Sequence, residues 1–194
     1  MARVPADAPP GLREAIRLSD KGDYPGAFDR LEKVAAGERK PTFHIYRAGL
    51  LLNVGRVAEA HDAIDRALAM DPDAGLALAL RAVINVVQNR KDTALADAHR
   101  AVELSPQASA PRIALSFAQQ AHFRLEAARE TVQQAVTEDP DNALARARLA
   151  ELWLATGYRR RAMDIAEKAV ELAPEVARTQ VVLGFAALSR IDTE

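Results

Sequence analysis

Four prolines, Pro72, Pro106, Pro140 and Pro174, stand 34 residues apart. Each closes a segment of the same kind: RALAMDP, RAVELSP, QAVTEDP and KAVELAP. A proline ring cannot continue a helical hydrogen-bond ladder, so each marks a helix end. The register extends upstream through Ala60, Ala94, Ala128 and Ala162, then Ile64, Ala98, Val132 and Ala166, then Ala67, Ala101, Ala135 and Ala169. Leu68, Val102, Val136 and Val170 follow at once. These offsets of 0, 4, 7 and 8 define one face of an α-helix.

Each period also holds an earlier helix. In the second it runs near Phe43 to Asn53 and ends at Gly55, a residue suited to a left-handed helix end; Gly22 and Gly157 fill the same role elsewhere. Helix, turn, helix and proline in 34 residues resembles the tetratricopeptide repeat (TPR) family, from about Pro10 to Arg190. The resemblance implies an all-α, right-handed α-solenoid of helix-turn-helix units. Its expected division is a flexible, proline-rich leader over 1–11, a single solenoid over 12–190 and a tail over 191–194. The units read as about 8–40, 41–74, 75–108, 109–142 and 143–176, followed by a lone helix over 177–190. The first is one residue short and has Arg39 in the proline's place.

Some positions depart from the family pattern. Arg47 and Arg81 put charges where a large apolar residue is usual, so Leu50, Leu51, Leu80 and Ile84 are expected to take over that packing. Asn89 and Phe123 replace the turn glycine. Asn tolerates positive φ and Phe does so poorly, so the turn of the fourth unit is expected to differ locally.

Composition narrows the function. Hydrophobic residues make up 49% of the 194, enough for a continuous core, and the net charge of −1 steers the chain toward neither nucleic acid nor an anionic membrane. There is no cysteine, which removes disulfides and thiolate metal sites. No apolar run reaches a membrane span, and the N-terminal residues carry no signal-peptide core, so a cytoplasmic location is expected. His44, His61, His99 and His122 fall in different units without metal-ligand spacing, and no nucleophile-base or phosphate-cradling motif occurs. No cofactor and no enzymatic activity are therefore expected. A basic run, Arg159-Arg160-Arg161, follows Tyr158, with Arg146 and Arg148 upstream; arginines beside an aromatic can hold phosphate or RNA.

In proteins this chain resembles, the first helix of each unit lines the concave surface. That geometry would present Ile45, Leu52, Ala79, Val83, Val86, Ile113, Phe117, Leu154, Val181 and Phe185 to a ligand. Family members that clamp a carboxyl terminus use lysine and asparagine on these faces. Leu12, Ile16, Tyr46, Leu76 and Leu80 stand at the matching positions here, so that clamp is absent. An apolar groove suits an amphipathic helix or an apolar extended peptide. The leading reading is a noncatalytic protein-binding scaffold. The alternatives are a regulatory or localising segment of a larger protein and an RNA-binding solenoid, nucleic acid being least favoured. The last helix is apolar nearly all round, which leaves three explanations open: a longer array, self-association with a second copy, or a tolerated apolar end.

Overall fold

The computed structural model describes residues 8–190, and among them there are eleven α-helices and no strand. Five hairpins pair α1 (Pro10–Asp20) with α2 (Tyr24–Glu32), α3 (Pro41–Asn53) with α4 (Val57–Met70), α5 (Gly75–Val87) with α6 (Lys91–Leu104), α7 (Ser109–Ala121) with α8 (Leu125–Glu138), and α9 (Ala143–Ala155) with α10 (Arg159–Leu172). A single helix, α11 (Ala177–Leu188), ends the described chain. From α3 onward the first helices start 34 residues apart, at residues 41, 75, 109, 143 and 177.

Small side chains at fixed spacing set this regularity. All eight in-register alanines, from Ala60 to Ala169, are 0% exposed, as are Ile64, Ala98, Val132 and Ala166 between them. Alanine favours helix and lets backbones cross closely. Larger side chains, Leu51, Ile84, Leu149 and Leu152 among them, fill the remaining space, each worth about 1.5–3 kcal/mol by burial. Leu50 is likewise buried and Leu80 packs on the core, so the apolar packing displaced by Arg47 and Arg81 is taken over by their neighbours.

Two layers result. Consecutive first helices touch along the whole chain. From α4 onward each second helix lies between the first helix of its own unit and that of the next, and no two second helices touch to a comparable extent. A stack with one closed layer and one spread layer bends toward the closed one, so the first helices form the inner face of a curved solenoid.

The turns within the hairpins share one geometry, including the one expected to differ. The residue after each turn donates its backbone N–H to the carbonyl five residues back: Arg56 to Leu51, Arg90 to Asn85, Arg124 to Gln119 and Tyr158 to Trp153, at 2.8–2.9 Å. Gly55 and Gly157 hold positive φ at the centre, as do Asn89 (φ 59°) and Phe123 (φ 61°). The fourth turn thus keeps the common form, with Phe123 forced into the left-handed region and 86% exposed. The packing of α7 on α8 fixes the chain on both sides and overrides the local preference of Phe.

Arg39 replaces the interunit proline of the first unit. After a short helical turn over Ala36–Glu38 its guanidinium donates to the Val34 and Glu32 carbonyls at the end of α2, satisfying acceptors a helix end leaves open. The expected leader lies mostly outside the described residues, as does the whole of the expected tail, and its last two residues need correction: Pro10 and Gly11 already belong to α1. Proline is suited to a first helical position, where its missing N–H has no partner to lose.

Candidate ligand-binding face

Three positions recur on the inner helices at offsets 0, 4 and 7. Ile45, Ala79, Ile113 and Val181 share the first, with Ala147 on α9; Val83, Phe117 and Phe185 share the second; Leu52, Val86 and Leu154 share the third. Helical periodicity puts all three on one stripe. On the internal helices the stripe is half in the core: Ile45 and Leu52 lean on the cluster around Leu51 and Ile64, Val83 and Val86 on that around Leu78 and Leu115, and Ile113 and Leu154 on later ones. Ala79 is a correction, because it is only 3% exposed and is core. The reason is steric: alanine is too short to emerge past the flanking helix. Only on α11, with no first helix beyond it among the described residues, is the stripe open; Val181, Phe185 and Leu188 are all more than half exposed.

Phe117 has company that its apolar register did not foretell. The Arg148 guanidinium carbon lies 3.8 Å from its ring centroid and that of Arg178 lies 5.3 Å away. Arg148 is 3% exposed. It donates from Nε to Ser116 Oγ (2.9 Å), from Nη2 to Gln120 Oε1 (2.6 Å) and the Ser116 carbonyl, and from Nη1 to Glu151 (2.9 Å). Arg178 approaches the same Glu151 at 2.7 Å. Two cations therefore share one carboxylate where α7, α9 and α11 meet. Burial pulls the Arg148 pKa below the ordinary guanidinium value, and Glu151 partly restores it. The sequence did hold a signal: Glu151 occupies the register of Val83, Phe117 and Phe185, a charge in an otherwise apolar series.

A second charged group lies within one hairpin. Arg81 of α5 grips Asp97 of α6 with two parallel hydrogen bonds, 2.8 and 2.7 Å. Asn85 donates to the same carboxylate at 3.1 Å, and Arg90 orients Asn85. The hydrogen bond to Asp97 is the main cause holding the Arg81 pKa above its ordinary value. Among the described residues no three histidines, aspartates or glutamates gather as a metal ligand set.

These features sit on a fold with known counterparts. Two family models described as tetratricopeptide repeat match the chain, over residues 47–109 and 121–181. A thermophilic TPR protein of Thermus thermophilus is similar in structure at a TM-score of 0.78 and 22% identity, over 92% of this chain and 97% of that one. PilW, a widely conserved type IV pilus biogenesis factor, is similar at 0.70 and 14% identity, over 96% and 87%. The Cut9–Hcn1 assembly of the APC/C is similar at 0.71 and 15% identity, over 91% of this chain and 35% of that one. At such identities the likeness is one of fold. No curated protein matches the chain in sequence.

Proposed function

Because this chain belongs to the tetratricopeptide repeat family, we propose that it is a noncatalytic scaffold that holds a peptide or helix of a partner protein against its inner face. The family and the fold support a protein-interaction role in general. The narrower reading rests on the half-buried apolar stripe that passes from Ile45 and Leu52 through Val83, Val86, Ile113 and Phe117 to Leu154, and emerges fully at Val181 and Phe185. An apolar stripe open along one edge takes up the apolar side of a helix or an extended strand.

The test is photo-crosslinking in cells. A crosslinking residue at Val83 or Leu154 is expected to trap a discrete partner, and one at Asp65, exposed on the outer helix α4, is not. Trapping at Val83 should fall at least about tenfold in a Phe117→Ser background if the stripe provides the anchors. Equal trapping from Asp65, or trapping indifferent to Phe117, would reject the inner face.

A second reading concerns self-association, and the two ends of the stack favour it. The open face of α1 is charged at Arg13, Arg17 and Asp20, whereas that of α11 is apolar at Val181, Phe185 and Leu188. Head-to-tail stacking would bury the charged end, so the favoured pair is tail to tail, α11 against α11, which closes after two copies. Sedimentation at rising concentration should show a weak dimer that Leu188→Glu abolishes; a monomer throughout would refute it.

A further inference from the structure

Arginines of the outer helices form a cage around the chain's one tryptophan, Trp153 of the first helix α9. The Arg129 guanidinium, from α8, lies 4.4 Å from the ring centroid, and that of Arg161, from α10, lies 4.9 Å away. Tyr158 meets Trp153 edge-on at 5.0 Å and lies under Arg161 at 5.8 Å. An open hollow of about 310 Å³ is lined by Trp153 with Arg129, Glu130, Gln133 and Gln134. A second hollow, of about 380 Å³, is lined by residues 157–161.

Six arginines elsewhere on the molecule are held closely by carboxylates, whereas others, such as Arg39 over Phe43, are not. Arg56, Arg81, Arg100, Arg112, Arg148 and Arg178 each contact a carboxylate within 3.3 Å. Arg129, Arg159, Arg160 and Arg161 contact rings or solvent instead. Glu130 is the only acid lining either hollow, so positive charge is in excess. A guanidinium laid on a ring keeps its N–H edge free, and that edge matches a carboxylate in geometry and charge.

We propose that this cage, between the outer helices α8 and α10, is a docking site for an acidic peptide segment, its carboxylates gripped by Arg129, Arg160 and Arg161 and its backbone laid across Trp153 and Tyr158. Charge complementarity selects the occupant. RNA fits less well: a nucleobase needs a bare aromatic face, and guanidiniums already lie over Trp153. Of the arginines in this stretch of sequence, Arg146 and Arg148 take no part, since Arg146 donates to the Pro140 carbonyl and Arg148 is buried on the inner side. Its arginines come from the outer helices and none of its residues belongs to the inner stripe, so the two stand or fall separately.

Trp153 reports on its own site. Titration of the intact chain with hexaglutamate should shift its emission saturably, and raising salt from about 50 to about 300 mM should weaken binding. With a fluorescently labelled hexaglutamate read by anisotropy, Arg160→Ala with Arg161→Ala should weaken affinity at least roughly fivefold. Both residues are exposed, so helicity should hold. Arg161→Lys should lose part of the affinity, because an ammonium cannot make the forked contact. No saturable response to hexaglutamate, unchanged affinity in the double variant, or hexauridylate RNA binding as tightly as hexaglutamate would each overturn the proposal.

Discussion

Arg81 and Arg148 both sit inside this helical stack, and the structure deals with them in opposite ways. Arg81 lies within one hairpin and meets a single carboxylate fork to fork; that bond raises its pKa. Arg148 lies between hairpins, is more deeply buried, and shares Glu151 with Arg178; burial lowers its pKa. The first is a closed, charge-balanced pair that fastens α5 to α6. The second is a bridge from α9 to α7 that leaves one positive charge over on the inner face. The burial of a charge thus says less about its role than the number of partners that share it.

Substitutions can break or sharpen that contrast. The largest effect should come from Arg81→Met, which leaves Asp97 with Asn85 alone and should cost about 3 kcal/mol in urea unfolding. A loss below about 1 kcal/mol would mean that Asp97 escapes to water, and the pair would not be a fastener. Next come Ala94→Leu on α6 and Ala128→Leu on α8, equivalent positions in the two neighbouring hairpins and both fully buried. Each should cost about 1–3 kcal/mol by overpacking. Similar losses would show that the small-residue register acts independently of the charges beside it; an unchanged melting temperature would undo the register. Phe123→Gly should then stabilise the fourth turn by roughly 0.5–1 kcal/mol, since glycine adopts positive φ freely, while Asn89→Gly should change little. Arg148→Met should shift stability by less than about 1 kcal/mol, because Glu151 keeps Arg178 and the thioether fills the space. It should instead lower the affinity of any acidic ligand on the inner face.

A third buried base extends the comparison by having no acid at all. His44 is buried, its Nδ1 has no hydrogen-bond partner, and burial followed by Arg66, Arg47 and Arg39 pushes its pKa below the usual 6.5. It resolves the conflict by staying neutral. The folded state therefore binds fewer protons than the unfolded state once pH falls below that value, so stability should drop on acidification from about 7.5 to about 5. His44→Phe should flatten this part of the profile, measured by urea midpoints across the range; an unaltered slope would assign the dependence elsewhere.

How much of this was legible beforehand depends on the kind of residue. The prolines and alanines revealed the repeat because they act through backbone geometry, which recurs wherever the residue does. The apolar stripe was legible as a periodicity but not as a surface: the sequence does not say how far each first helix covers the one before, and Ala79 vanished into the core as a result. Phe123 departs from its own turn preference because that preference is local, while packing on both sides decides the outcome. The arginine networks were hidden because their partners lie 16 to 32 residues away, as in Arg81 with Asp97 and Arg148 with Ser116. Arg81 with Asp97 nonetheless left a trace: Arg81 is charged where Leu115 and Leu149 are apolar, a place it shares with Arg47, and Asp97 is charged where Ala63 and Ile165 are apolar.

The unequal layers also give the molecule a mechanical character. First helices in mutual contact behave as a stiff spine, and second helices held apart behave as ribs joined only through it. Flexing then meets steric resistance on the spine side and little on the rib side. The array should respond to strain as a leaf spring does, through small rotations summed over its seams, with no single joint at which it folds.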